Sequence, residues 1–300
     1  MSATPVLTAR NVSIEYEVDP PVKAVRNVSL TLNRGEILGL AGESGCGKTT
    51  LAYGMNRLLK PPALMTTGEV VFHDRSGVDI DVVALQDEGL RQFRWDKISM
   101  VFQGAMNSLN PVISIKEQLF DVFDTHRPGM SKSAKRARSR ELLALVGVDP
   151  NRLDSFPHQL SGGMRQRVMI AMALALDPQV MIMDEPTTAL DVVVQRGIIR
   201  EIMRLREKLG FAVIFITHDL PMLIEISDRI AVMLQGQIVE QGTAEQIYRT
   251  PQHEYTKKLL SSFPSLRGER GDFVRTGAGI DAPPASAATP ATTAPKEEAR

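Results

Sequence analysis

One eight-residue string, GESGCGKT at positions 42–49, constrains this chain more than any other feature. It matches G-x-x-x-x-G-K-[ST], a loop whose glycines let the backbone curl until successive N–H groups point at phosphate oxygens. Its surroundings supply the context such a loop needs. Residues 36–41 (EILGLA) form a short apolar run that reads as a buried strand, and residues 49–59 have helical composition. A helix start there aims the positive end of its dipole at the same phosphates. On this reading Gly42, Ser44, Gly45, Cys46 and Gly47 form the cradle, with Cys46 a small filler whose backbone does the work. Lys48 neutralises the β- and γ-phosphates, Thr49 ligates Mg2+ through its hydroxyl, and Thr50 donates to the α-phosphate. The string alone implies only that a nucleoside triphosphate binds.

A second string, VMIMDE at 180–185, is an apolar run ending in two carboxylates. A parallel strand delivers its C-terminal end to the crevice that holds the phosphate loop. Asp184 would hold Mg2+ there, and Glu185, one residue on, would polarise an attacking water as general base. The run 211–216 (FAVIFI) follows a charged helical stretch at 192–209, a strand–helix–strand pattern that implies a parallel sheet. Elsewhere, alternation at Val12 and Ile14, and at Val28, Leu30 and Leu32, reads as half-buried strands. Residues 68–83 and the pair 230–234 and 237–241 read as hairpins, and 96–103 as another strand. Helical spacing in 131–146 and 163–176 marks a helical insertion over about 112–176.

The third string, LSGGM at 160–164, resembles the signature motif of ABC ATPases. The remaining landmarks of that family follow in order. The resemblance implies that Ser161, Gly162 and Gly163 present donors to a γ-phosphate bound by the opposite subunit of a head-to-tail dimer, and that Asp191, after Ala189 and Leu190, lies across that dimer interface. It implies that Gln103 senses Mg2+ and couples to a permease, that His218 contacts the γ-phosphate and that Tyr16 stacks on adenine. Glu185, His218, Gln103 and Lys48 are then the catalytic set. The expected fold is α/β: a P-loop cassette with a parallel RecA-like core sheet, an N-terminal antiparallel β subdomain and a helical insertion. It would occupy residues 1–265.

Within this family the chain is most similar to the oligopeptide/dipeptide permease ATPases. The stretch QGAMNSLNP at 103–111, the signature with Met164, and PQHEYTKKLL at 251–260 carry that likeness. The last resembles a His-Pro-Tyr-Thr element, with Glu254 in place of proline, and a family C-terminal element is expected over 251–280. The resemblance implies ATP and Mg2+ as cofactors and a second, different ATPase subunit beside this first-type one. Two integral-membrane permeases and, indirectly, a solute-binding protein complete the assembly. It implies import at the cytoplasmic face of the cell membrane, with residues 103–125, Met106 and Phe123 among them, touching the permeases. Peptides are the default cargo of the branch, with oligosaccharides or nickel as alternatives.

Composition excludes several other classes. Thirty-five basic residues balance 35 acidic ones, so no single-sign field points to nucleic acid. Cys46 is the only cysteine, which excludes an internal disulfide and the C-terminal iron–sulfur cluster of some relatives. The apolar runs are too short to span a bilayer, and the N-terminus lacks the layout of a signal peptide. Only about 130 residues separate Gly47 from Val180, without sustained heptads, which argues against a coiled-coil DNA-repair ATPase. A single cassette argues against a translation factor, and intact Glu185 and His218 argue against a regulatory subunit that cannot hydrolyse. Residues 281–300, rich in Pro, Ala and Thr, read as a disordered tail.

Overall fold

A computed structural model describes residues 4–262, apart from Ala189 and the side chain of Met106. The chain opens with strands β1 (Pro5–Tyr16), β2 (Val22–Asn33) and β3 (Ile37–Ala41), then helix α1 (Lys48–Met55). Strands β4 (Ala63–His73) and β5 (Asp79–Asp81), helix α2 (Asp87–Asp96) and strand β6 (Ile98–Val101) follow. Helices α3 (Ile115–His126), α4 (Lys132–Leu145) and α5 (Gly162–Ala173) lead into β7 (Val180–Asp184), α6 (Val192–Leu209) and β8 (Ala212–Ile216). Helix α7 (Leu220–Ile226), strands β9 (Arg229–Leu234) and β10 (Gln237–Thr243), and helices α8 (Ala244–Arg249) and α9 (Glu254–Ser261) close the described chain.

Two sheets result. The first is antiparallel in the order β2-β1-β4-β5, and the second runs β10-β9-β3-β8-β7-β6, parallel except for the β10–β9 pair. The second sheet is covered on both faces, as its near-continuous apolar runs require. Along β7, Val180 and Ile182 face one apolar core while Met181 and Met183 face another, and β8 alternates in the same way. The first core lies between the two sheets and encloses α1 through Leu51, Ala52 and Met55. The second holds α3 to α7 on the other face.

The expected strands and hairpins are present, and β4 starts earlier than the 68–83 hairpin suggests. Three differences have physical causes. Helix α1 stops at Met55 rather than running to residue 59, because Arg57 takes a left-handed φ of 53° ahead of two prolines, Pro61 and Pro62. Helix α2, absent from the sequence reading, has a mostly polar surface: its one buried residue, Phe93, packs edge-on to Phe72 at 5.4 Å, Trp95 Nε1 donates to Met172 O, and Arg91, Arg94 and Asp96 bond to neighbouring segments. Phe123, expected at a permease-facing surface, is 1% exposed and lies in the main core, so its ring is not presented to a partner. The expected tail at 281–300 and the end of the 251–280 element lie outside the described residues.

Candidate nucleotide site

Strand β3 is buried at all five positions and delivers the phosphate loop at its C-terminal end. Two glycines there are required sterically. Gly42 has φ 146°, and a Cβ on it would lie 2.4 Å from the Met233 carbonyl oxygen. Gly47 has φ 104°, and its Cβ would lie 2.3 Å from the Ala24 carbonyl oxygen. The loop is therefore pressed against β2 and β9 so closely that no side chain fits. Lys48 opens α1, and its buried ammonium donates to the carbonyls of Gly42 (2.7 Å) and Glu43 (2.8 Å). Cys46 is 7% exposed, with its thiol in the core beneath the loop and 3.6 Å from Lys48 Nζ.

Asp184, the last residue of β7, is fully buried. Its Oδ1 accepts from the Thr49 hydroxyl at 3.1 Å, while its Oδ2 has no hydrogen-bond donor. Burial pushes its pKa up, the Thr49 hydroxyl opposes that, Glu185 adds to it and Lys48 counters it. A buried carboxylate with one free oxygen, beside a hydroxyl, suits a hard divalent cation that takes its other ligands from phosphate and water. Among the described residues there is no cluster of three His, Cys, Asp or Glu side chains to hold a metal unaided.

Glu185 takes φ 45°, a left-handed conformation unusual for a residue with a side chain, while its N–H donates to Ile216 O. The turn brings three side chains onto its carboxylate. Gln103 Nε2 donates to Oε2 at 3.1 Å, Thr188 Oγ1 donates to the same oxygen at 2.9 Å, and His218 Nδ1 lies 3.3 Å from Oε1. A carboxylate so placed can take a proton from water, and strain concentrated at such a residue is typical of a chemical centre.

A cleft of about 660 Å³ gathers Tyr16, Ser44, Gly45, Gly47, Lys48, Thr49, Thr50, Gln103 and Glu185. The sequence reading also singled out Asp184 and His218, which adjoin this lining through Thr49 and Glu185. Tyr16 stands at the end of β1 with its hydroxyl 3.1 Å from Thr50 Oγ1. The reading missed Val22, Lys23, Ala24, Arg26, Gln235 and Gly236, which complete the lining, and Thr188. None belongs to a recognisable string. Arg26 is drawn in because its guanidinium donates to Gln235 O across 209 positions of chain.

Ser161, Gly162, Gly163 and Asp191 do not line this cleft. Ser161 caps α5, accepting from Met164 N, and Asp191 caps α6, accepting from Val194 N. The two helix starts adjoin, since a Cβ on Gly163 would lie 2.8 Å from Val194 Cγ1. Ser161 and Asp191 are exposed, so both helix starts lie at the surface, away from the cleft.

Residues 25–188 match the family model for ABC transporter, and residues 239–289 that for the oligopeptide/dipeptide transporter C-terminal region. The chain is 42% identical over 267 residues to the oligopeptide transport ATP-binding protein OppD of Bacillus subtilis (strain 168), a match covering 88% of this chain and 73% of that one. To the dipeptide transport ATP-binding protein DppD of Haemophilus influenzae it is 42% identical over 264 residues, covering 87% and 78%. Among solved structures it resembles the ATP-binding cassette MJ0796, a dimer in a post-hydrolysis state bound to ADP and Pi. That match has a TM-score of 0.68 and 31% identity, and covers 79% of this chain and 98% of the other.

Proposed function

The chain belongs to the ABC transporter family, and we propose that it is the ATP-binding and hydrolysing subunit of an importer for di- and oligopeptides. The observation that carries this reading is the convergence on one cleft of a phosphate loop, a buried carboxylate beside Thr49, and a second carboxylate held by Gln103 and Thr188 next to His218.

In this reading Tyr16 offers its ring to adenine, and the loop N–H groups of residues 44–49 hold the phosphates. Lys48, positioned by its two carbonyl partners, presents its ammonium to β- and γ-phosphate oxygens. The Thr49 hydroxyl and the free oxygen of Asp184, with Gln103 nearby, would hold Mg2+, which supplies positive charge against the β- and γ-phosphates when bound. Glu185 accepts the proton of the water that attacks the γ-phosphorus, ADP leaves with the electron pair of the broken bond, and His218 steadies the γ-phosphate. Ser161, Gly162, Gly163 and Asp191 serve the nucleotide of an opposed subunit, so each ATP is enclosed between two chains. Closure and reopening of that pair are passed to two permease subunits.

The partner is a second, different ATPase subunit, and the assembly sits at the cytoplasmic face of the membrane. Among the described residues no helix is long and apolar enough to cross a membrane. The reading is tested by purifying the intact complex with its solute-binding protein and identifying the retained ligand. A bound short peptide that stimulates ATP turnover is expected. A retained sugar or nickel ion, with no stimulation by peptides, would contradict the peptide assignment.

A further inference from the structure

The C-terminal helix reaches back to the phosphate loop. Strand β10 carries Glu240, whose carboxylate accepts from the backbone N–H groups of Gln252 (2.7 Å) and His253 (3.1 Å). Burial works against ionising this carboxyl, yet the Gln252 N–H, the Thr256 hydroxyl and the His253 N–H together outweigh it and hold the pKa below the ordinary carboxylate value. The entry into α9 is thereby clamped to the sheet. His253 then caps the helix, its Nδ1 accepting from Tyr255 N, and Thr256 is fully buried. Tyr255, Leu259 and Leu260 pack against the main core. Seated this way, α9 directs the Tyr255 hydroxyl at the phosphate loop, where it accepts from Glu43 N at 3.0 Å.

Glu43 is the residue that Lys48 also uses. Its carbonyl receives the Lys48 ammonium at 2.8 Å while its N–H is held by Tyr255. The peptide unit joining Gly42 to Glu43 carries both the N–H that Tyr255 holds and the Gly42 carbonyl that receives the Lys48 ammonium at 2.7 Å, and with the Glu43 side chain exposed this unit is fixed by what its backbone touches. One hydroxyl, 212 positions along the chain, thus holds the outer side of the peptide that positions the phosphate-neutralising lysine from within.

We propose that Tyr255 is a positioning residue for ATP binding: through Glu43 it preorganises the phosphate loop, coupling the C-terminal element to nucleotide affinity. The inference rests on the reading of the cleft as an ATP site, and assigns to the C-terminal element a role within it. Preorganising a loop lowers the ordering cost charged to ligand binding. Glu185, Gln103 and His218 make no contact with Tyr255 among their hydrogen bonds, so the chemical step is spared.

Tyr255→Phe keeps the ring and its packing and removes only the hydroxyl. In the intact transport complex this variant should raise KM for ATP about fivefold, the effect of one ordinary neutral hydrogen bond, and leave kcat within about twofold. Glu240→Gln, which loosens the seat of α9 without touching the loop, should shift KM in the same direction. An unchanged KM in Tyr255→Phe, beside a wild-type complex that hydrolyses ATP normally, would overturn the inference alone. A fall in kcat with KM unchanged, or a loss of thermal stability with neither changed, would do the same. A wild-type complex that neither binds nor hydrolyses ATP would overturn the cleft's assignment and this inference with it.

Discussion

At the scale of single residues, Asp184 costs stability where it stands. A carboxylate with no exposure and one unpartnered oxygen carries the penalty of burial whenever it is ionised. Its folded pKa is raised, so the folded state keeps the proton to higher pH than the unfolded chain does. Stability linked to this group therefore falls as pH rises through that window, and the penalty is fully present above it. Asp184→Asn removes the charge and keeps an oxygen for the Thr49 hydroxyl. Without nucleotide, this variant should melt about 2–4 °C higher than wild type, measured by calorimetry at pH 7. Its ATPase activity should be lost, because the cation loses its protein carboxylate. A lower melting temperature would contradict the account of the buried charge. The opposition of stability and activity at one atom is what a site built for an incoming cation should show.

At the scale of elements, strand alternation was readable because β1, β2, β7 and β8 each bury residues at period two, or on both faces. The phosphate loop, the two carboxylates and the strings around Ser161 and Asp191 were readable because each is a contiguous stretch of sequence. Thr188, Arg26, Gln235 and Tyr255 were not, because each reaches the site through a partner far away in the chain or through a turn. Helix α2 escaped because its buried face is little more than Phe93. The start of β6 is held by a polar cluster equally invisible in one dimension. Asp74, at the end of β4, accepts from the Ser76 hydroxyl (2.6 Å) and backbone (3.0 Å) and from Gln179 Nε2 (2.6 Å), and pairs with Lys97 at 3.1 Å. Its side chain is 11% exposed, and the Ser76 hydroxyl leads the contacts that hold its pKa far below the ordinary carboxylate value. A depressed folded pKa gives stability that is present above the unfolded value, about 4, and lost as pH falls through the folded one. Asp74→Asn should therefore destabilise the protein by about 1.5–3 kcal/mol at pH 7, by urea titration, with the gap from wild type closing below about pH 4. A gap that stayed constant down to pH 3 would contradict the assignment.

At the scale of the whole molecule, the cleft and the paired helix starts point to an assembly. The loop side gathers the phosphate loop, the buried Asp184 beside Thr49 and the Glu185 carboxylate. The caps of α5 and α6 lie outside that cleft, with Val192 and Val193 beside them 57% and 80% exposed. On the proposed function, these two valines and the two helix N-termini belong to the face that the opposed subunit covers. That face and Glu185 together make the central claim testable, since hydrolysis needs the carboxylate while pairing needs only bound ATP. The direct measurement is Glu185→Gln in the intact complex, read as ATP turnover together with retained nucleotide and subunit pairing. The account predicts that turnover falls about 10²–10⁴-fold while ATP stays bound in a closed pair of ATPase subunits. Turnover within about twofold of wild type, or no ATP retained by the paired subunits, would contradict it.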